Sequence, residues 1–329
     1  MKKLKLIHKM TLLLLAAFTA FACEKTNDMG QPGYLVPKTV DEDPSLPSIT
    51  VNGTMLHSEA FGNPMDPMIV SVHGGPGGDY RSILNCKKFA DDGYYVIFYD
   101  QRGSGLSKRH DEDEGVFTVQ TFVDDLDAVI NYYKQSPEQK VILMGHSWGG
   151  MLAAEFVNQY PEKVDGLIIM EAGGLTMDDM MEYINTWMKY DLMNEDVNDV
   201  VYKDQFITGG THEVLDYKMA IQPHLDANVG NPGHTPFWRM GAVCNSALMN
   251  YANENPIDFT TNLDQYTNKV LFAYSELNPA YGKEHAEKVA GAFPNVEVVE
   301  IERCGHEIPY FGWASYHPVA LAYLNQITK

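Results

Sequence analysis

Apolar residues come along this chain in short, nearly unbroken runs. Six of them read as strands: 67–73 (PMIVSVH), 94–100 (YYVIFYD), 141–146 (VILMGH), 164–170 (VDGLIIM), 269–274 (KVLFAY) and 296–301 (VEVVEI). Strands this apolar are covered on both faces, the mark of a mostly parallel sheet. Helical spacing fills the intervals. The segment 118–135 places Phe122, Leu126, Ile130 and Tyr133 on one face, and 149–160, 284–293 and the region after Trp313 supply further helices. The expected fold class is therefore α/β, a mostly parallel central sheet covered by helices. Such sheets carry their functional loops at the C-terminal strand ends, where this chain has its glycine-rich and polar segments.

The alternation stops between 175 and 262. This stretch reads as helical or irregular, is rich in Met, and holds Tyr183, Trp187, Tyr190, Tyr202, Phe206, Phe237 and Trp238. It predicts a largely helical cap inserted between two strands. The core then divides into 49–174 and 263–329. The cap's Met and aromatic side chains either line a substrate pocket, since Met adapts to varied shapes, or form the cap's own small core.

The length, 329 residues, suits one large domain with an insertion. Asp plus Glu outnumber Lys plus Arg by 44 to 24, a formal charge of -20. A surface this negative repels phosphate backbones and argues against nucleic-acid partners. The acidic run Asp111–Gly115 reads as a solvated loop. At the other extreme, residues 1–23 begin with Lys2, Lys3, Lys5 and Lys9, continue apolar, and end Ala20-Phe21-Ala22-Cys23. That is a secretory signal. It resembles a bacterial lipoprotein signal, which implies a lipidated Cys23 and an exported protein anchored on the periplasmic or cell-surface side of a membrane. Residues 24–48, rich in Asp, Pro and Ser, read as a tether. Cys86, Cys244 and Cys304 are widely spaced and suggest neither a disulfide framework nor a zinc site.

Chemistry concentrates in four places. GHSWGG (Gly145–Gly150) matches G-x-S-x-G between a strand and a helix, where glycines permit the sharp turn that lifts a nucleophile. Ser147 is the expected nucleophile. It needs a base, and His306 in CGHE follows the last strand, the position expected in an α/β-hydrolase. His73, His146, His224 and His234 fit less well. HGGPGG (His73–Gly78) lets backbone N–H groups approach a substrate, so the N–H groups of Gly75 and Trp148 are the expected oxyanion donors, with Gly74 as competitor. In DQRGSG (100–105), Asp100 and Arg102 are expected to brace the site. A phosphate-binding loop is excluded by the absence of G-K-[ST].

HGGPGG, DQRGSGLS and GHSWGG, in this order and spacing, resemble the prolyl iminopeptidase family of α/β-hydrolases (peptidase family S33). The resemblance runs from about 50 to 325 and is weakest in the insertion. It implies Ser147 as nucleophile, His306 as base, and a helical cap between the sixth and seventh core strands. It also implies release of a single residue, often proline, from a free peptide N-terminus. Two departures stand out. His146 replaces the second glycine of Gly-Gly-Ser-Trp-Gly-Gly. SELN (Ser275–Asn278) replaces Gly-Glu-x-Asp, so Asn278 stands where the triad aspartate belongs. Asn278 can fix the histidine tautomer but cannot stabilise imidazolium as a charge does.

Two carboxylates could compensate. Glu276 is nearest in sequence. Glu171 closes the apolar strand at 164–170, and a buried charge there requires a partner. Glu171 as acid, Glu276 as acid, and neither all remain open. Glu171, Glu182, Glu195, Glu213 and Glu254 are also candidates to hold a substrate ammonium. The expected substrates are short peptides with a free N-terminus or small acyl compounds, with no requirement for a metal or organic cofactor. An esterase or lipase-like hydrolase and an inactive surface binding module are the alternatives. No signal for an oligomeric state is present.

Overall fold

The computed structural model describes residues 35–187, 210–221 and 226–328. Eight strands form one sheet. β1 (Ser48–Val51) and β2 (Thr54–Phe61) make an antiparallel hairpin around Asn52 and Gly53, both at positive φ (45° and 75°). That turn conformation matches the right-handed twist of paired strands. β2 pairs antiparallel with β4 (Tyr95–Tyr99). The rest is parallel: β3 (Met68–Val72), β4, β5 (Val141–His146), β6 (Gly166–Met170), β7 (Val270–Ser275) and β8 (Val296–Ile301), in sheet order β1-β2-β4-β3-β5-β6-β7-β8.

Every residue of β3 to β7 is buried, because both faces are covered. Alternate side chains feed two apolar layers. One takes Val70, Ile97, Leu143 and Ile169 against α1 (Val119–Tyr133), α2 (Trp148–Gln159) and the later helix α6 (Gly282–Ala290). The other takes Ile69, Val96, Ile142 and Ile168 against the 3-10 segment Tyr80–Ala90 and the last helix, α7 (Trp313–Thr328). The Thr118 hydroxyl caps α1 by accepting from the Thr121 N–H at 3.2 Å, satisfying one of the donors left free at a helix start.

The six expected strands are present and the hairpin is an addition. The expected tether needs correction over its described part. Thr39 and Val40 are buried, the Val40 N–H donates to the Leu106 carbonyl at 2.8 Å, and Ser48 already belongs to β1. Polar composition marks this stretch as irregular chain, and most of it is exposed, yet Thr39 and Val40 dock against the body of the fold. Residues 1–34, with the signal and Cys23, lie outside the described residues.

Between β6 and β7 lie α3 (Met177–Trp187), α4 (His212–Ala220) and α5 (Ala242–Glu254), and no strand of the sheet among the described residues. Tyr190, Glu195, Tyr202, Phe206 and His224 of this stretch lie outside them. The insertion is tied to the glycine-rich loop after β3. The Gly241 N–H donates to the Gly77 carbonyl at 2.7 Å, and Asn245 Nδ2 donates to the Pro76 carbonyl at 2.8 Å. The buried Asp79 carboxylate accepts from the Trp238 and Arg239 N–H groups. No described helix is long and apolar enough to cross a membrane. Cys86, Cys244 and Cys304 are free and buried, and burial pushes each thiol up to about 12.

Candidate active site

β5 ends, the chain turns sharply, and α2 begins. Ser147 occupies the turn at φ 54°, ψ −124°, with its N–H bound to the Met170 carbonyl of β6 at 2.8 Å. A left-handed φ is costly for a non-glycine residue and persists only where the surroundings enforce it. Its neighbours must be small. A Cβ on Gly149 would sit 2.1 Å from the Val72 carbonyl oxygen, and one on Gly145 would sit 2.3 Å from that of Gly149.

The HGGPGG loop passes directly over this turn, since a Cβ on Gly74 would lie 3.1 Å from Ser147 Cβ. Gly74 is buried and Gly75 is exposed. Trp148 opens α2, where backbone N–H groups lack helical partners. Its indole Nε1–H donates to Gln101 Oε1 at 2.9 Å. Gln101 in turn donates its Nε2–H to the His73 carbonyl and its backbone N–H to His73 Nε2. One side chain thus locks three functional loops together. His73 keeps its proton on Nδ1, which donates to the Gly74 carbonyl, and burial holds its pKa below the ordinary value. Asp100 accepts from His57 Nδ1 and the Tyr80 and Leu106 N–H groups, and Arg102 forks onto Asp125. Both are bracing residues.

His306 follows β8 on a loop fixed by its own N–H, which donates to the Val229 carbonyl at 2.9 Å. Its ring centre lies 4.8 Å from that of His146, the residue before Ser147. His306 Nδ1 lies 2.8 Å from Glu171 Oε2. Glu171 is fully buried, at φ 47°, one residue past β6. Four donors converge on its carboxylate: His306 Nδ1, the Ser275 N–H at 2.7 Å, the Ser275 hydroxyl, and Asn278 Nδ2 at 2.7 Å. Burial alone would push this carboxyl up. The His306 contact and the Ser275 and Asn278 donors outweigh it, and the pKa is lowered. Glu171 is therefore a carboxylate, His306 carries its proton on Nδ1, and Nε2 presents the lone pair a general base requires.

The other two candidates at this point part company. Asn278 is buried and its amide acts on Glu171, while its Oδ1 accepts from the Ala280 N–H. Glu276 is exposed and accepts from the Arg303 N–H at 2.8 Å. Glu276, one residue past β7, binds the turn after β8, while the His306 Nδ1 contact goes to Glu171. Among the ammonium candidates, Glu171 is engaged by His306, Glu182 is exposed and paired with Lys288 at 2.7 Å, Glu254 is exposed, Glu213 is half-buried in the first turn of α4, and Glu195 lies outside the described residues.

Three contributors escape sequence reasoning, and Gln101, described above, is the first. Ser275 stands out in the sequence only as a serine where glycine is usual, yet it donates twice to Glu171. Tyr183 of α3 is pooled there with the other cap aromatics. It is buried with its Oη 3.4 Å from His306 Nδ1, a contact spanning 123 residues that no local pattern encodes.

The chain belongs to the alpha/beta hydrolase fold family, whose profile matches residues 67–312. Within that family it is prolyl iminopeptidase-like. It is 24% identical over 281 residues to the proline iminopeptidase PfmaB of Pestalotiopsis fici, covering 79% of this chain and 92% of that one. It is 37% identical over 109 residues to the proline iminopeptidase of Thermoplasma volcanium, covering 33% of this chain and 35% of that one. Among solved structures, the proline iminopeptidase of Mycobacterium smegmatis superposes with TM-score 0.60 at 18% identity, covering 86% of this chain and 98% of that one. A putative lipase of Acinetobacter baumannii gives 0.63 at 17% identity, covering 85% and 91%. Likeness at such identities speaks for the fold alone.

Proposed function

We propose that the protein is a serine hydrolase that releases an N-terminal residue, proline favoured, from short peptides. The observation that carries this reading is the 2.8 Å contact of His306 Nδ1 with the buried Glu171 carboxylate beside the Ser147 turn. His306 Nε2 takes the proton of the Ser147 hydroxyl, and the oxygen attacks the substrate carbonyl. The N–H groups of Gly75 and Trp148 receive the developing oxyanion. Glu171 stabilises the imidazolium, which then protonates the departing amine. Water enters, His306 removes its proton, and the acyl bond to Ser147 breaks to free the acid and the serine hydroxyl.

The test is a panel of aminoacyl amides against simple esters, with Ser147→Ala as control. Cleavage of proline amides, lost in the control, supports the reading; ester cleavage without amide cleavage overturns its peptidase half. One observation favours an esterase as the second reading: among the described candidates Glu171 and Glu182 are engaged and Glu254 is exposed, which leaves only half-buried Glu213 as the ammonium anchor there. The absence of labelling by a fluorophosphonate would return the protein to a binding module. The same proposal extends to placement, with lipidated Cys23 as a membrane anchor. It rests on the sequence of residues 1–23 and is tested by fatty-acid labelling of wild type against Cys23→Ser.

A further inference from the structure

We propose that His146, His306 and Glu307 form a binding site for one divalent metal ion of the zinc type, and that filling it silences the hydrolase. The three residues each place one donor atom so that all lie within 4.8 Å of one another. His146 is 1% exposed, and its Nε2–H donates to the His306 carbonyl at 2.8 Å. That bond fixes the tautomer, so the Nδ1 lone pair points elsewhere. Nδ1 has no hydrogen-bond partner, and neither has Glu307 Oε2, although both atoms are buried. They lie 3.9 Å apart.

Two buried acceptors facing each other leave a gap that a small cation fills favourably, since it satisfies both lone pairs at once. Size narrows the choice. Both atoms are shielded from bulk solvent, and 3.9 Å between them is close to the spacing of two ligands on one small ion. A bare zinc ion bonds nitrogen and oxygen at about 2.0–2.2 Å, which sets tetrahedral ligands about 3.4 Å apart. The 3.9 Å gap closes to that value by a small shift of the Glu307 side chain. An imidazole pair with one carboxylate is a donor set zinc accepts, with an open fourth position for water. Entry is open from the side of His306 and Glu307, whose side chains are 14% and 18% exposed.

Inhibition follows from the third ligand, whichever ring nitrogen binds. Coordination through Nε2 removes the lone pair that takes the Ser147 proton. Coordination through Nδ1 displaces the bond to Glu171. Metal binding itself needs no hydrolase activity; only its inhibitory consequence rests on the reading above.

The experiment is a calorimetric titration of the full chain with zinc chloride, alongside Ser147→Ala, Glu307→Gln and His146→Gln. Melting curves for every variant check folding. We expect one ion per chain in wild type and in Ser147→Ala, with affinity weakened at least about tenfold in Glu307→Gln and in His146→Gln. The same zinc concentration should abolish fluorophosphonate labelling of wild-type Ser147, with recovery on adding EDTA. No binding by wild type, or binding that folded Glu307→Gln and His146→Gln both retain, overturns the site. Binding that leaves fluorophosphonate labelling intact overturns the inhibition. A wild type that binds zinc but is never labelled leaves the site standing and sinks the hydrolase instead.

Discussion

The ends of β6 and β7 lie side by side in the sheet and have divided the work of one residue. β6 ends in a carboxylate, Glu171, held by four donors. β7 ends in Ser275 and leads to Asn278, which carry no charge and spend their hydrogens on that carboxylate. In the pattern this chain resembles, the strand equivalent to β7 supplies the acid. Here charge and support have exchanged strands, and the histidine finds its acid in reach either way. What the base requires is a buried negative charge at one point in space; which strand delivers it is secondary.

The largest effect should come from removing the charge. Glu171→Gln is expected to lower kcat by about four orders of magnitude, the loss seen when a comparable triad gives up its carboxylate. The double variant Glu171→Gln, Asn278→Asp moves the acid back to β7. It should recover at least about tenfold of the loss in steady-state assays; a double variant as inactive as the single one would show that the two strand ends are not equivalent.

A smaller effect is expected from weakening the support. Asn278→Ala removes one charge-assisted hydrogen bond from a fully buried carboxylate and should cost about 1.5–3 kcal/mol of stability by denaturant titration. Its pH dependence has a definite sign. Glu171 is held below the ordinary glutamate range in the folded chain. Its stabilising share is therefore complete above that range and is lost as pH falls through the lowered folded value. Asn278→Ala loses one of the contacts that hold it down, so acid unfolding and the acidic limb of the activity profile should both move to higher pH. The smallest effect belongs to Glu276→Gln, expected to change stability by less than about 0.5 kcal/mol and to leave kcat unchanged, because Glu276 faces solvent. A large loss there would reopen the assignment of the acid.

Much of this was legible in the chain. Parallel strands buried on both faces announce themselves as apolar runs, and a charge closing such a run, as Glu171 does, signals a partner. The hairpin of β1 and β2 was missed although Asn52-Gly53 is a strong turn signal, because its strands alternate and sit beside polar chain. Ser275, Tyr183 and Gln101 were hidden for another reason. Each matters through a partner 104, 123 or 47 residues away in sequence, and small or neutral polar residues carry no pattern that betrays such contacts.

The three buried thiols offer something of a different kind. With their sulfurs protonated and enclosed, none should react with a maleimide dye until the chain around it opens. Cys244 lies on α5 of the insertion, while Cys86 and Cys304 lie on the body of the sheet domain. Their order of labelling, followed by peptide mass spectrometry, is thus a built-in chronometer. Cys244 reacting first would mean that the lid breathes while the body stays shut, and simultaneous reaction would mean that the two open as one.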